Sequence, residues 1–196
     1  MTESKNPWTA LRATTKYDNN WIRVTEHDVI NPMGKPGIYG TVHFKHLAIG
    51  VVPIDADGST FLVGQFRFPF GKYSWEIPEG GGALDVAPLE SAKRELIEET
   101  GLVAEHWRQF LRMDLSNSVS DEVAISFLAW NLAHGQAQPE ETEQLQIRKL
   151  PFARALDMAW AGEITDSLSV ASLLKVELMA RRGELPAEVA RLIIAS

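Results

Sequence analysis

The segment Glu76–Leu102 reads EIPEGGGALDVAPLESAKRELIEETGL. Its second half predicts a helix from Pro88 to Thr100. Proline suits the first helical turn, where its missing N–H costs nothing. Gly101 is a natural stop, because glycine readily takes the left-handed conformation that closes a helix. Leu89, Ala92 and Leu96, with Leu102 just beyond, supply an apolar stripe for a core. Glu95, Glu98 and Glu99 stand at i, i+3 and i+4, so three carboxylates share one helical face. Like charges so placed repel, and acids near a helix C-terminus oppose its dipole. A hard divalent cation would offset both, since Mg²⁺ takes carboxylate oxygens and keeps water and substrate phosphate as its other ligands. From these three residues alone, a solvated acidic helix face is the competing reading. The first half of the segment carries Gly80-Gly81-Gly82 in what reads as a loop lasting to about Val86. Free backbone groups in such a loop, beside an acidic helix, can meet a phosphate and a metal together.

Outward from this segment, SWEIP at 74–78 reads as a short strand, preceded by a strand at 61–68, FLVGQFRF. Asp57-Gly58 marks a hairpin turn between that strand and a long extended run over 38–53. NPMGKPG, 31–37, is dense in turn residues, and 21–30 reads as another strand. The first dozen residues are polar with a lone Trp8 and predict no element. Downstream lie strands near 106–115 and 122–132, a polar acidic loop over 134–144, a strand at 145–150, and helices at 151–161, 167–182 and 186–194. Leu168, Ala171, Leu174 and Leu178 form one stripe, read as core or subunit contact. This order of elements predicts an α/β fold of mixed sheets with helices packed outside.

A length of 196 residues suits one domain, or one domain with an arm. The hydrophobic fraction of 45% and charged fraction of 23% are those of a globular protein. No run of 18 apolar residues is present, which predicts no membrane span. The start, MTESKNPWTALRATTKY, lacks the basic-then-apolar pattern of a secretory signal. The chain has no cysteine, which excludes disulfides, zinc-thiolate sites, Fe–S clusters and thiol nucleophiles and is consistent with a cytoplasmic location. A net charge of −7 argues against a nucleic-acid partner. It leaves room for a small anionic substrate if bound cations offset the repulsion. The five histidines share no metal-ligand spacing.

Gly80, with Arg94-Glu95-Leu96-Ile97-Glu98-Glu99-Thr100-Gly101-Leu102 at the right distance, resembles the signature of the Nudix hydrolases. Val86 stands where that family has a glutamate that usually pairs with the signature arginine, so Arg94 needs another partner. EIPEGGG, the Gln65-Phe66-Arg67 strand and the N-terminal extension are similar to the branch that cleaves ADP-ribose and related nucleoside diphosphate sugars. The resemblance implies an α/β/α sandwich of mixed sheets over 46–196, preceded by an N-terminal β arm over 1–45. It implies a Mg²⁺ cofactor, with Mn²⁺ as the alternative, and a homodimer in which the arm packs on the partner. Glu95, Glu99 and Glu143 would hold metal, with a loop carbonyl at Glu79 completing the site and Glu98 beside it as a catalytic residue. Glu141 would act on the attacking water, although an acidic loop that is merely solvated competes with both loop assignments. Arg67 would clamp a phosphate, against an outward-facing strand arginine as the alternative. Gly80 and Gly81 would approach the diphosphate, and Glu122, in SNSVSDE, would meet sugar hydroxyls. Such residues suit the chemistry: bound cations neutralise a diphosphate and acidify water, and a carboxylate takes the proton.

The resemblance therefore implies Mg²⁺-dependent cleavage of a nucleoside diphosphate sugar, ADP-ribose to AMP and ribose 5-phosphate foremost. Hydrolysis of GDP-mannose, a dinucleotide or a nucleoside triphosphate stays open. So does a non-catalytic nucleotide-sugar sensor, which Val86 favours and the intact glutamate set disfavours.

Overall fold

The computed structural model describes residues 5–135 and 145–195. The chain forms two compact units, one ending at His46 and including Asp114–Val123, the other comprising Leu47–Met113 and the chain from Ala124 onward.

The first unit is an antiparallel meander of β1 (Thr9–Asp18), β2 (Ile22–Ile30) and β3 (Pro36–Phe44), in that order. Its turns are set by asparagine. The Asn19 side chain accepts the N–H groups of Trp21 and Ile22, at 2.9 and 2.8 Å. Asn31 does the same for Met33 and Lys35, both at 3.0 Å. The stretch 114–123 joins β3 where Val42 N–H donates to the Val119 carbonyl at 2.8 Å and Tyr39 Oη to the Ser118 carbonyl at 2.6 Å. β1 has no counterpart in the sequence reading. Nearly every residue of TALRATTKYD is exposed, so the strand carries no alternating apolar pattern to betray it.

The extended run expected over 38–53 is two strands. It breaks at Lys45, whose N–H makes the last bond to the β2 side, on the Trp21 carbonyl at 2.9 Å. β4 (His46–Ile54) then enters the second unit. It pairs in parallel with β9 (Val123–His134), flanked by β7 (Glu79–Ala83) and β8 (Leu102–Asp114), in the order β7-β4-β9-β8. Ile49, Val51, Val52 and Ile54 are all buried, which explains the unbroken apolar run: a strand covered on both faces has no polar side. A second sheet, β10-β5-β6, comprises β5 (Ser59–Arg67), β6 (Lys72–Glu76) and β10 (Gln146–Pro151), with β5 antiparallel to both neighbours. The Asp57-Gly58 turn joins β4 to β5 as expected, with Gly58 at φ +80°. Gly80–Ala83 belong to strand β7, where the sequence had suggested a loop.

Among the described residues, four helices belong to the second unit: α1 (Pro88–Thr100), α2 (Phe152–Trp160), α3 (Ser167–Arg181) and α4 (Ala187–Ala195). α1 packs on β7, and α2 on β5 and β10. The stripe expected on α3 is corrected. Leu174 and Leu178 are exposed, and Leu168, Ser169, Ser172, Leu173 and Val176 face inward. Two serines sit in this interior because each has a hydrogen-bond partner: Ile77 N–H donates to Ser169 Oγ at 3.0 Å, and Ser172 pairs with Ser126 at 2.8 Å. Asp166 caps α3 by accepting Ser169 N–H at 2.7 Å.

Candidate active site

α1 forms as its sequence dictates. Pro88 opens it, and Gly101, at φ +70°, closes it with its N–H on the Ile97 carbonyl at 2.9 Å. Its last two turns carry Glu95 and Glu99, both buried, and Glu98, half-buried. Charges removed from water need strong partners. Arg94 supplies some of them. Its guanidinium donates to Glu95 Oε1 at 2.5 Å, to Glu98 Oε2 at 2.6 Å and to the Gly81 carbonyl at 2.7 Å. A cation placed between the carboxylates offsets the repulsion that the sequence exposed. It also answers for Val86, which is itself exposed: Arg94 is satisfied without a glutamate there.

β7 brings backbone to the same place. Glu79 N–H donates to Glu99 Oε2 at 2.9 Å. A Cβ on Gly80 would fall 2.3 Å from the Glu95 carboxyl carbon, so only glycine lets the strand lie this close. Residues 79 and 80 of β7 thus lie against Glu99 and Glu95 respectively. Carboxylate oxygens of this kind are what Mg²⁺ or Mn²⁺ takes.

Arg67 closes β5 beside this cluster. Its Nε lies 3.0 and 2.9 Å from the two oxygens of Glu76, and its Nη2 donates to Glu76 Oε2 at 2.5 Å and to Glu79 Oε1 at 3.0 Å. Glu76, on β6, is only 3% exposed. Burial opposes the Arg67 charge. The hydrogen bonds and charge of Glu76, with Glu79 and Asp166, outweigh that and raise its pKa above the usual arginine value. Burial pushes the Glu79 carboxyl well above the ordinary carboxylate range, and its neighbours Asp166 and Glu76 push it further. Glu76, Glu79 and Asp166 offer oxygens all within 4.8 Å of one another.

The structure therefore brings together Glu79, Gly80, Gly81, Glu95, Glu98 and Glu99, with Arg67 bound to Glu79. Glu76 and Asp166 were not singled out in the sequence. The one clue was a charged residue inside the apolar strand SWEIP; Asp166 read only as the residue before a helix. Glu122 belongs to the other compact unit, where its carbonyl accepts Leu115 N–H at 3.0 Å. Glu141 and Glu143 lie outside the described residues.

Residues 44–168 match the family described as NUDIX domain. The chain belongs to the Nudix family. Residues 5–42 match a second family, the nucleoside diphosphate sugar hydrolase N-terminal domain. The chain is 35% identical over 135 residues to an ADP-ribose pyrophosphatase of Mycobacterium tuberculosis, a match covering 66% of this chain and 64% of that protein. It is 29% identical over 154 residues to an ADP-ribose pyrophosphatase of Bacillus subtilis, covering 77% and 82%. A methanol dehydrogenase activator of Bacillus methanolicus is 29% identical over 133 residues, covering 67% and 72%. The crystal structure of an ADP compounds hydrolase shares the fold, with a TM-score of 0.81 at 21% identity over 94% of this chain and 100% of that one. The mixed α/β architecture expected from the sequence is thus the Nudix fold, and the stretch Arg94–Leu102 spans the end of α1, its glycine cap and the start of β8.

Proposed function

We propose that this Nudix protein hydrolyses the diphosphate of a nucleoside diphosphate sugar, ADP-ribose to AMP and ribose 5-phosphate foremost. The observation that carries the reading is the close approach of Glu79 N–H to buried Glu99 and of Gly80 to buried Glu95, with Arg67 tied to Glu79 alongside. The names of the mycobacterial and Bacillus relatives and the matched N-terminal family support the substrate class.

In this reading Glu95, Glu99 and the Glu79 carbonyl hold Mg²⁺, with Mn²⁺ as a substitute and Glu143 as a further ligand. The bound cation supplies charge for the diphosphate oxygens and acidity for the attacking water. Gly80 and Gly81 let the substrate approach the backbone, Arg67 donates to a phosphate oxygen, Glu98 acts beside the metal ligands, and Glu141 takes the water proton. Glu122 binds a sugar hydroxyl. Residues 1–45 form the arm and 46–196 the hydrolase domain. The protein works as a homodimer in the cytoplasm, with neither nucleic acid nor membrane as a partner. Val29 is the buried hydrophobic residue of β1–β3 among the described residues, whereas Leu11, Tyr17, Trp21 and Ile38 are exposed. A three-stranded sheet needs an apolar face covered to be stable, and a second copy would cover this one. The net charge of −7 disfavours nucleic acid, and no described helix is long and apolar enough to cross a membrane.

The test is product release from ADP-ribose, GDP-mannose, UDP-glucose, NADH, diadenosine polyphosphates and nucleoside triphosphates, each with Mg²⁺ and with chelator. Metal-dependent cleavage led by a sugar nucleotide is expected. Silence across the panel in a folded protein that still binds ADP-ribose would replace the enzyme with a sensor.

A further inference from the structure

Resting on that reading, we infer that Glu76 is a positioning residue for substrate: it locks the Arg67 guanidinium so that one fixed edge faces the diphosphate. Glu76 occupies Nε and shares Nη2 with Glu79. Nη1 donates to nothing among the described residues. A guanidinium has five N–H donors in a rigid plane, so engaging one edge fixes the direction of the other. The side chain is still 35% exposed, which leaves that second edge a route to solvent and ligand.

The burial of Glu76 makes the lock stiff. It is 3% exposed and sits on β6, whose ladder with β5 carries Arg67 opposite Lys72, so both partners are anchored on paired strands. Asp166 closes the cluster from the far side, itself held as the α3 cap. A buried carboxylate also cancels the charge of Arg67. The contribution of Arg67 to binding then lies in the direction of its remaining donors, and a freely swinging arginine of the same charge would not reproduce it. The Glu79–Arg67 bond passes this register to the residue whose N–H meets Glu99. Arginine and metal ligands are thereby set at a fixed spacing across the two phosphates.

The experiment is a double-mutant cycle with ADP-ribose, using Glu76→Gln, Arg67→Ala and both together, with Mg²⁺ saturating. Glu76→Gln keeps one acceptor and the side-chain volume. It is expected to raise KM about tenfold with kcat changed less than about threefold, the pattern of lost uniform binding. The double variant is expected to match Arg67→Ala, because Glu76 acts only through that arginine. A Glu76→Gln effect of full size in the Arg67→Ala background would overturn the inference. So would an unchanged KM, or a loss confined to kcat. If Glu76→Gln does not fold by circular dichroism, Glu76→Asp provides the same cycle with the carboxylate withdrawn by one methylene. A wild-type protein that cleaves no sugar nucleotide would instead defeat the proposed function, before the cycle is begun.

Discussion

The β1–β3 meander and the β4–β10 sheets are both built of paired strands, yet they hold their charges differently. In the meander, Asp18 meets Arg23 at 2.8 Å, Lys16 meets Glu26 at 2.8 Å, and His43 meets Asp121 at 2.5 Å, with every partner well exposed. Exposed pairs such as these contribute little, because water and salt screen them. Around α1 and β6 the carboxylates of Glu76, Glu95 and Glu99 are buried, and each has a partner that cannot be removed cheaply. The same residue types that tune a surface in one region build the candidate site in the other. Burial makes the difference, because it turns a solvated charge into one that demands a cation.

Three changes would break or sharpen this contrast. The largest effect belongs to Glu99→Gln. It removes a charge from the proposed metal set while keeping the volume and an acceptor for Glu79 N–H. We expect kcat to fall at least about 100-fold, about 2.7 kcal/mol of barrier, with the circular dichroism spectrum retained. Near-normal turnover would remove Glu99 from the metal set. Next is Gly80→Ala, whose added Cβ must displace the Glu95 carboxyl. Overpacking of this kind costs about 1–3 kcal/mol. Activity should fall further than chemical denaturation alone predicts, because the displaced group belongs to the proposed metal set. A variant with unchanged Mg²⁺ dependence would show that the close approach is dispensable.

The smallest effect belongs to the meander. Hydrogen bonds from Lys45 and Arg23 hold the Asp18 carboxyl below its usual pKa. A group depressed on folding adds stability above its unfolded pKa and loses it as pH falls through the folded one. Asp18→Asn should therefore cost a little stability at neutral pH, and the cost should disappear in acid below the ordinary carboxylate range. Since the carboxylate is exposed, salt should shrink the cost further. Urea melts at two pH values and two ionic strengths check this. A large, salt-independent loss would mean that the meander holds its charges as the site does.

Much of this was legible in residue order. α1 runs from Pro88 to Thr100 as read, since proline, glycine and the Leu96 stripe are local signals. The Asp57-Gly58 hairpin is equally local. The misses share a cause. β1 lacks a buried face, so its pairing with β2 leaves no pattern. The Gly80–Ala83 stretch looked like a loop because three glycines usually mark one. It is a strand because Glu95 and Ile49 leave no room for side chains there. α3 hides serines in its core, and these read as surface until their partners on other elements are known.

By itself the sequence determined the acidic helix, its glycine stop, the absence of thiol chemistry and the resemblance that named the Nudix signature. Those rest on residues a few positions apart, where periodicity and capping suffice. Only the tertiary structure decided that Arg94 needs no glutamate at Val86, and that Glu79 reaches Glu99. It alone decided that Glu76 and Asp166 join a site from another strand and another helix. The Glu79–Glu99 and Glu76–Asp166 contacts cross 20 and 90 residues of chain, and Arg94 reaches the Gly81 carbonyl across 13. What brings such residues together is sheet pairing and core packing, which no local pattern encodes.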